Sequence, residues 1–147
     1  MAVKQGEKMI EILKYFREPL RAALTGELPL DSRDWACVVD NNDTTIAHIV
    51  AALCMLPKGF FQWSIARAWS GWTVAHELAA YQKMPEGFDQ WDLVSLSGVT
   101  VAHVAARWGN LPELDANSPI WNWADDNGET VRECYMRWNN EKRVNRG

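Results

Sequence analysis

The sequence repeats itself about every 28 residues, and no other feature limits the possible folds of the chain as strongly. Four tryptophans recur at separations of 28, 28 and 30 residues: Trp35, Trp63, Trp91 and Trp121. A Thr-x-Ala-His motif keeps nearly the same period and occurs at residues 45–48, 73–76 and 100–103. Self-similarity at a period between about 20 and 50 residues is typical of proteins built from stacked repeats. We therefore predict a stack of similar units in which most of the unusual residues have structural roles.

Each full repeat shows the same order of local signals. A polar loop follows the tryptophan and turns at Asp43, Gly71, Gly98 or Gly128, and glycine or aspartate tolerates the positive φ of such a turn. A threonine then stands three residues before the histidine, where a helix N-cap is expected. In the last unit a glutamate replaces the histidine and completes a T-x-x-E capping box. Each helix is followed by a proline, which predicts a second short helix, for example over residues 85–91.

The period divides the chain into one all-α domain of five units. We predict an N-terminal cap at 1–34, repeats at 35–62, 63–90 and 91–120, and a C-terminal cap at 121–147. The N-terminal cap should hold a helix over residues 8–26 that is broken near Pro19 and ends at Gly26. The last helix should run from Val131 to about Arg143 and end in a polar, basic tail.

The repeat tryptophans are predicted to be core residues. Because edge units of a stack have one fewer neighbour, Trp91→Ala should cost more stability than Trp35→Ala.

Composition excludes several classes of protein. Apolar residues make up 48% of the chain, which is too many for a disordered protein. No apolar run reaches the roughly 18 residues of a membrane span, and the N-terminus does not resemble a signal peptide, so we expect a cytoplasmic protein without membrane contact. Cys37, Cys54 and Cys134 are odd in number and widely spaced, which favours reduced, mostly buried thiols. A net charge of −4 argues against a protein that coats nucleic acid.

The three motif histidines are predicted to be structural. Equivalent residues on stacked helices lie about 8–10 Å apart, whereas two nitrogens on one zinc ion lie within about 4.2 Å of each other. We therefore predict no metal and no cofactor, and we expect each histidine to bond its own turn and a neighbouring unit. A nucleophilic pair of Cys37 or Cys54 with His48 has no activating context in the sequence. We accordingly predict that the chain is not an enzyme.

The unit around His103 resembles the ankyrin repeat. Residues 98–111, Gly-Val-Thr-Val-Ala-His-Val-Ala-Ala-Arg-Trp-Gly-Asn-Leu, are similar to the ankyrin core G-x-T-P-L-H-x-A-A-x-x-G-x-L, and the likeness covers roughly residues 35–138. The chain departs from that family in its Val-Ala or Ile-Ala dipeptide, in a shortened second helix, and in a period of about 28 residues where ankyrin repeats have about 33. The resemblance implies an ankyrin-like helical solenoid with degenerate caps, in which each repeat tryptophan fills volume that the lost helical turn would have supplied.

The resemblance also implies a binding face, because ankyrin repeats bind partners with their loop tips and the exposed end of the first helix. Carried over position by position, this face consists of Trp69, Trp72, Tyr81, Val99, Arg107, Trp108, Asp126, Asn127 and Glu129. Tryptophan, tyrosine and arginine are enriched in interface hot spots. Trp69 and Trp72 flank the turn at Gly71, and we expect both rings to lie in water. The alternative is that these tryptophans close the groove of the solenoid.

We interpret the chain as a non-enzymatic module that binds another protein. Shortened, tryptophan-rich repeats look like those of bacteria and their phages, which suggests an inhibitor of a host defence protein encoded by a phage or mobile element. One alternative is an enzyme with an unrecognised site. Another is weak nucleic-acid binding through the basic tail, which carries Arg137, Lys142, Arg143 and Arg146.

Overall fold

The computed structural model describes the backbone of residues 18–146 and the side chains of residues 18–142. Its regular structure consists of helices, with β-structure limited to isolated bridges within the described range. Helix α1 covers residues 18–24, and the later helices are α2 Ile46–Ala52, α3 Val74–Tyr81, α4 Val101–Arg107 and α5 Val131–Arg146. Two short 3-10 helices lie at Arg33–Ala36 and Pro119–Asn122. The predicted all-α class is therefore confirmed.

The repeat helices begin at threonines, as the sequence predicts. The N-cap threonines of α2, α3 and α4 have extended backbones, and each Oγ1 accepts the backbone N–H of the histidine three residues later. At α5, Glu133 N–H donates to Thr130 Oγ1 at 3.1 Å, and Thr130 N–H donates to Glu133 Oε1 at 3.4 Å. Such side chains satisfy backbone N–H groups that have no partner inside the helix. The local sequence thus determines where the four helices start.

A single β-bridge closes the loop before each of these four helices. The bridged pairs are Val38–Thr45, Ala66–Thr73, Val94–Thr100 and Ala124–Thr130. The predicted turn residues within these loops all have positive φ, from 57° at Asp43 to 79° at Gly98 and Gly128. The last two loops are one residue shorter than the first two, as the tryptophan-to-glycine spacing predicts.

The helices pack against each other in chain order, α2 on α3, α3 on α4 and α4 on α5. Their facing positions carry small residues, and Ala51, Ala79 and Ala105 are completely buried. Small side chains at a contact allow helix axes to approach toward the short end of the usual 8–10 Å range. The core therefore runs along the stack as a row of alanine and branched side chains contributed by every repeat helix.

The predicted second helix is wrong after Pro57 and Pro85, where turns occupy the expected positions, whereas the short 3-10 helices Arg33–Ala36 and Pro119–Asn122 contain the other two repeat tryptophans. Phe88 N–H donates to Pro85 O at 3.1 Å, and Gly87 between them has a φ of 86°. The preceding repeat has the same geometry around Gly59. A glycine with positive φ at the third position belongs to a type II turn, which no helix can incorporate. The proline signal was outweighed by the glycine two residues after it.

An aromatic ladder occupies the layer in which the second helices were expected. Five rings contact one another edge-to-face in the order Trp35, Phe60, Trp63, Phe88 and Trp91. Successive ring centroids are 4.9–5.4 Å apart, with interplanar angles of 75–88°. Contacts of this kind contribute about 0.5–1.5 kcal/mol each beyond the area they bury. The repeat tryptophans therefore stabilise the outer layer, although Trp91 is only half-buried.

The terminal units follow the prediction in part. Helix α1 ends as expected, since Glu27 N–H and Leu28 N–H both donate to Ala22 O around Gly26, which has a φ of 78°. Residues 18–24, including Pro19, are helical, while residues 8–17 of the predicted helix, and with them the approach to the predicted break, lie outside the described residues. Helix α5 continues to Arg146, three residues beyond its predicted end.

The cysteines are free thiols, but the prediction that they are mostly buried is wrong. Cys134 is buried, Cys37 is half-buried and Cys54 is exposed. Cys54 follows the C-cap of α2 with a left-handed φ of 57°, and the equivalent position after α4 is Gly109, with a φ of 76°. An L-residue other than glycine is strained in this conformation.

Cys54→Gly is therefore expected to stabilise the fold by about 0.5–1 kcal/mol. For a domain of this size the melting temperature should rise by roughly 2–4 °C, measured by thermal denaturation under reducing conditions. Cys54→Ala is the matched control, because it removes the thiol and keeps the strained Cβ. An equal gain in the alanine variant would show that the thiol, and not the backbone, is responsible.

Candidate protein-binding face

The four loop tips form one continuous edge, because hydrogen bonds link each tip to the next. Three bonds make these links: Trp69 Nε1–H to Asn42 O at 3.3 Å, Leu96 N–H to Ser70 O at 3.0 Å, and Asp126 N–H to Ser97 O at 3.0 Å. The order of the tips along this edge is therefore their order in the chain.

Glycine makes the close approach of successive tips possible. A Cβ added at Gly71 would lie 2.9 Å from the backbone nitrogen of Leu96, and one at Gly98 would lie 2.9 Å from that of Asp126. Both distances are shorter than real Cβ contacts, so any larger residue would push the tips apart. The turn glycines thus set the spacing of the edge as well as its backbone conformation.

The two tryptophans that flank the second turn differ in their exposure to solvent. Trp69 is 67% exposed. Trp72 is half-buried against the core: its ring lies 4.8 Å from that of His76, and its Nε1–H donates to Glu77 Oε2 at 2.8 Å. The expectation that both rings lie in water is correct for Trp69 and wrong for Trp72. Trp72 folds back over its own helix, as the groove-closing alternative describes.

The ends of the repeat helices supply a second row of exposed side chains. Leu53, Tyr81 and Trp108 each stand five residues after a motif histidine and are 55%, 58% and 49% exposed. Tyr81 lies one helical turn beyond Glu77, so the two share a side of α3. Because Glu77 bonds the ring of Trp72, the helix end and the tip of this repeat contribute to the same face.

We name this surface the tip face and define it by six apolar or aromatic side chains of the two central repeats: Trp69, Trp72, Tyr81, Leu96, Val99 and Trp108. Leu96 is 71% exposed and was not among the predicted binding residues. Its position two residues before the turn glycine, equivalent to that of Trp69, could have revealed it.

The other predicted site residues lie at the end of the stack that contains α5. Asp126 and Asn127 are exposed at the last tip. Arg107 is half-buried, forms an ion pair with Glu141 at 3.1 Å, and places its guanidinium 5.0 Å from the ring of Trp108. A cation over an indole ring is a favourable contact. This contact fixes the position of the tryptophan at the rim of the tip face.

Glu129 is engaged within its own unit. Cys134 Sγ donates to Glu129 Oε1 at 3.0 Å, and Arg137 forms an ion pair with the same carboxylate. The hydrogen bond from Cys134, aided by Arg137, lowers the pKa of Glu129 below its ordinary value. Burial, together with Glu129, raises the pKa of Cys134 to about 12, so this thiol stays protonated. Of the residues in the predicted basic tail, Arg137 is thus paired with a carboxylate of its own unit, and Lys142 is exposed. The side chains of Arg143 and Arg146 lie outside the described residues.

Both ring nitrogens of every motif histidine are bonded to protein atoms. The Nε2 atoms bond carbonyls of the next repeat: His48 to Trp72 O at 2.8 Å, His76 to Val99 O at 2.8 Å, and His103 to Glu129 O at 3.0 Å. Since a carbonyl only accepts, Nε2 carries the proton, and Nδ1 accepts from the N-cap threonine hydroxyl at 2.7 Å. The predicted structural role of the histidines is confirmed.

Burial lowers the pKa of His48 and lowers that of His76 to about 4. These two imidazoles are therefore neutral near pH 7, as the bonding pattern requires. Among the residues with described side chains, no group of three or more His, Cys, Asp or Glu could hold a metal ion. None of the helices in residues 18–146 is long and apolar enough to cross a membrane.

No protein-family model matches the chain, and no curated protein matches it.

Proposed function

We propose that the chain is an ankyrin-like repeat module that binds another protein through the tip face and catalyses no reaction. The observation that carries the proposal is the exposure of large apolar side chains at equivalent positions of successive repeats. Trp69 and Leu96 are 67% and 71% exposed at the tips, and Tyr81 and Trp108 are 58% and 49% exposed at the helix ends. Contiguous apolar surface with a polar rim marks interaction sites, whereas scattered single residues do not.

Four local features support the ankyrin-like part of the proposal. Each repeat has a bridged loop, a turn residue with positive φ, a threonine N-cap, and a buried histidine or its glutamate counterpart at the third helical position. Each histidine bonds the loop of the next repeat, and the helices pack in chain order. The missing second helix is the main departure from that family, and the aromatic ladder takes its place.

The non-catalytic part rests on the state of the candidate nucleophiles and bases. The Nε2 atom of each motif histidine bonds the next repeat and Nδ1 bonds the N-cap threonine of its own repeat, and Cys134 is held protonated beside Glu129. A cytoplasmic location belongs to the same proposal and is supported by the three free thiols.

We also hypothesise that the partner is a host defence protein and that the chain is its inhibitor, encoded by a phage or mobile element. The partner is captured from a host lysate on the immobilised chain, and an assay of its activity with and without added chain tests this context.

Trp69→Ala is expected to weaken partner binding by about 2 kcal/mol or more, the threshold for a hot-spot residue. This corresponds to a roughly 30-fold higher Kd. Stability should stay within about 1 kcal/mol of wild type, because the ring is mostly exposed and its single hydrogen bond lies at the surface. The measurement is a titration of the captured partner with wild type and variant, paired with thermal melts of both.

Phe61→Ala is the matched control, because Phe61 is 56% exposed beside the aromatic ladder and does not belong to the tip face. Its removal should leave the Kd unchanged. Trp72→Ala is a poorer probe, since the half-buried ring packs against the core and its loss should lower stability as well. Equal Kd values for wild type and Trp69→Ala would exclude the tip face as the binding surface.

A further inference from the structure

Charged residues on the loop tips are concentrated at the two ends of the stack. The first tip loop, residues 38–45, carries Asp40 and Asp43, and the last, residues 124–130, carries three carboxylates. The two central tip loops carry Arg67 as their single charged residue. Five carboxylates and one guanidinium leave the four tip loops with a net charge of −4.

The hydrogen bonds between tips place these acidic ends on either side of the apolar centre. Asn42 of the first tip accepts from Trp69, and Asp126 of the last tip donates to Ser97, so Trp69 and Leu96 lie between the two acidic tips. Three steps between helices at about 8–10 Å each put the acidic tips roughly 25–30 Å apart. The tip edge therefore has acidic tips at both ends and exposed apolar side chains at its two central tips, with Arg67 as the one charged residue between the ends.

Loop capping explains some of these carboxylates and leaves others unexplained. Asp40 Oδ1 accepts the N–H groups of Asn42 and Thr44, and Asp125 caps the last loop in the same way. Burial would raise the pKa of Asp40, but the bonds from Thr44 and Asn42 outweigh it and lower that pKa. The side chains of Asp43 and Asp126 form no hydrogen bond or ion pair within the described residues, so their charges are available to a partner.

We infer that the tip face binds a segment of another protein with an apolar or aromatic centre and lysine or arginine on both sides of it. This inference rests on the proposed function and specifies the chemistry of the partner. Opposite charges at the rim steer association and exclude wrong partners, while the apolar centre supplies most of the affinity. An acidic segment, a nucleic acid, or a second copy of this chain would bring negative charge against both ends.

The test is a selection of random 20-residue displayed peptides on the immobilised full-length chain. A helix of 20 residues spans about 30 Å, so each peptide can reach both acidic tips. The enriched peptides should combine central Trp, Phe, Leu or Met with Lys or Arg toward both ends. The best peptide, synthesised and titrated, should bind Trp69→Ala at least about 10-fold more weakly than wild type.

Charge is tested separately with the double variant Asp43→Asn/Asp126→Asn, which leaves the loop-capping carboxylates in place. Its Kd for the same peptide should be about 3–10-fold higher, and adding salt should weaken binding less than in wild type. The control is Glu86→Gln/Asp89→Asn, which removes two exposed charges from the turn at residues 85–91. This control should bind like wild type.

The outcomes separate the inference from the proposed function. Two outcomes would overturn the inference alone. The first is a set of peptides that need Trp69 for binding but are not enriched in Lys or Arg. The second is a Kd that changes neither with added salt nor in the double variant. Enriched peptides that bind Trp69→Ala as tightly as wild type would overturn both. If wild type dimerises with rising concentration and Trp69→Ala stays monomeric, a second copy of the chain covers the tip face. This outcome too would overturn the inference.

Discussion

Replacing Trp35 with alanine is expected to lower the free energy of unfolding by about 3–5 kcal/mol, the usual cost of removing a large aromatic side chain from a core. Trp35 is completely buried, and its ring lies edge-on to Phe60 with centroids 5.1 Å apart. Its Nε1–H donates to Pro29 O at 2.8 Å. The variant loses the buried area and the ring contact, and it leaves the Pro29 carbonyl without this donor. Urea denaturation of wild type and variant measures the difference.

Trp91→Ala is the matched comparison within the same ladder, and we expect it to cost less than Trp35→Ala. Trp91 is half-buried, so its removal exposes less apolar surface and leaves a smaller cavity. The repeat pattern alone predicts the opposite order, because it places Trp35 next to a terminal unit. A loss below about 1 kcal/mol for Trp35→Ala, or a larger loss for Trp91→Ala, would contradict the burial described for the ladder.

The order of these two tryptophans illustrates what a repeat pattern cannot determine. Equivalent residues have the same local backbone, but their burial depends on the neighbouring unit, which differs at each end. At Trp35 the segment after α1 covers the ring, with Pro29 bonded to it and Leu28 buried in the same core. Nothing in the spacing of the tryptophans carries this information, since the covering segment is the most degenerate unit of the chain.

Local signals were predictive where one residue determines one backbone feature. The threonine N-caps and the positive φ values from Asp43 to Gly128 follow from such residues, and all of them are observed. The second helix failed because two local signals conflict. Pro85 favours the start of a helix, whereas Gly87 adopts a φ of 86° that ends it within one turn. The aromatic ladder compensates for the missing helix through tertiary contacts that no local rule predicts.

The candidate binding face could be predicted as a set of positions but not as a set of exposed side chains. The positions carried over from the ankyrin resemblance identified Trp69, Tyr81 and Trp108, which are indeed exposed. It also selected Trp72 and Glu129, whose polar atoms bond within the chain to Glu77 and to Cys134 and Arg137, respectively. A side chain with a nearby internal partner turns toward it, and sequence spacing does not reveal that partner. The sequence therefore does not determine which side chains of the face are exposed, and only the structure shows it.

Lowering the pH from about 6.5 to 4 is expected to destabilise the fold by about 3 kcal/mol through His76 alone. Burial is the main cause of the lowered pKa of His76, which is about 4 in the folded chain against an ordinary value of 6.5. The unfolded chain therefore binds the proton first as the pH falls. The contribution of His76 to the free energy of unfolding is fully present above about pH 6.5. It is lost as the pH falls to about 4, and it does not change further at lower pH. Burial also lowers the pKa of His48, which adds to the loss in the same direction.

The geometry explains why the folded state resists this proton. His76 Nδ1 already accepts from the backbone N–H of Thr73 at 3.1 Å and from its hydroxyl at 2.7 Å, while Nε2–H donates to Val99 O. A proton on Nδ1 would face the backbone N–H of Thr73 and would force the Thr73 hydroxyl to turn from donor to acceptor, and a buried charge is costly. Protonation therefore disrupts the N-cap of α3, while Nε2–H still donates to Val99 O.

Urea denaturation at pH 7.5, 6.5, 5.5 and 4.8 measures the effect at pH values above the ordinary pKa values of aspartate and glutamate. The slope should approach about 1.4 kcal/mol per pH unit for each histidine that stays neutral in the folded chain. His76→Gln is the matched control: it should be less stable than wild type at pH 7.5, because glutamine cannot reproduce both bonds, but its stability should fall less steeply on acidification. Parallel slopes for wild type and His76→Gln would mean that His76 is not held neutral, and that other groups cause the acid sensitivity.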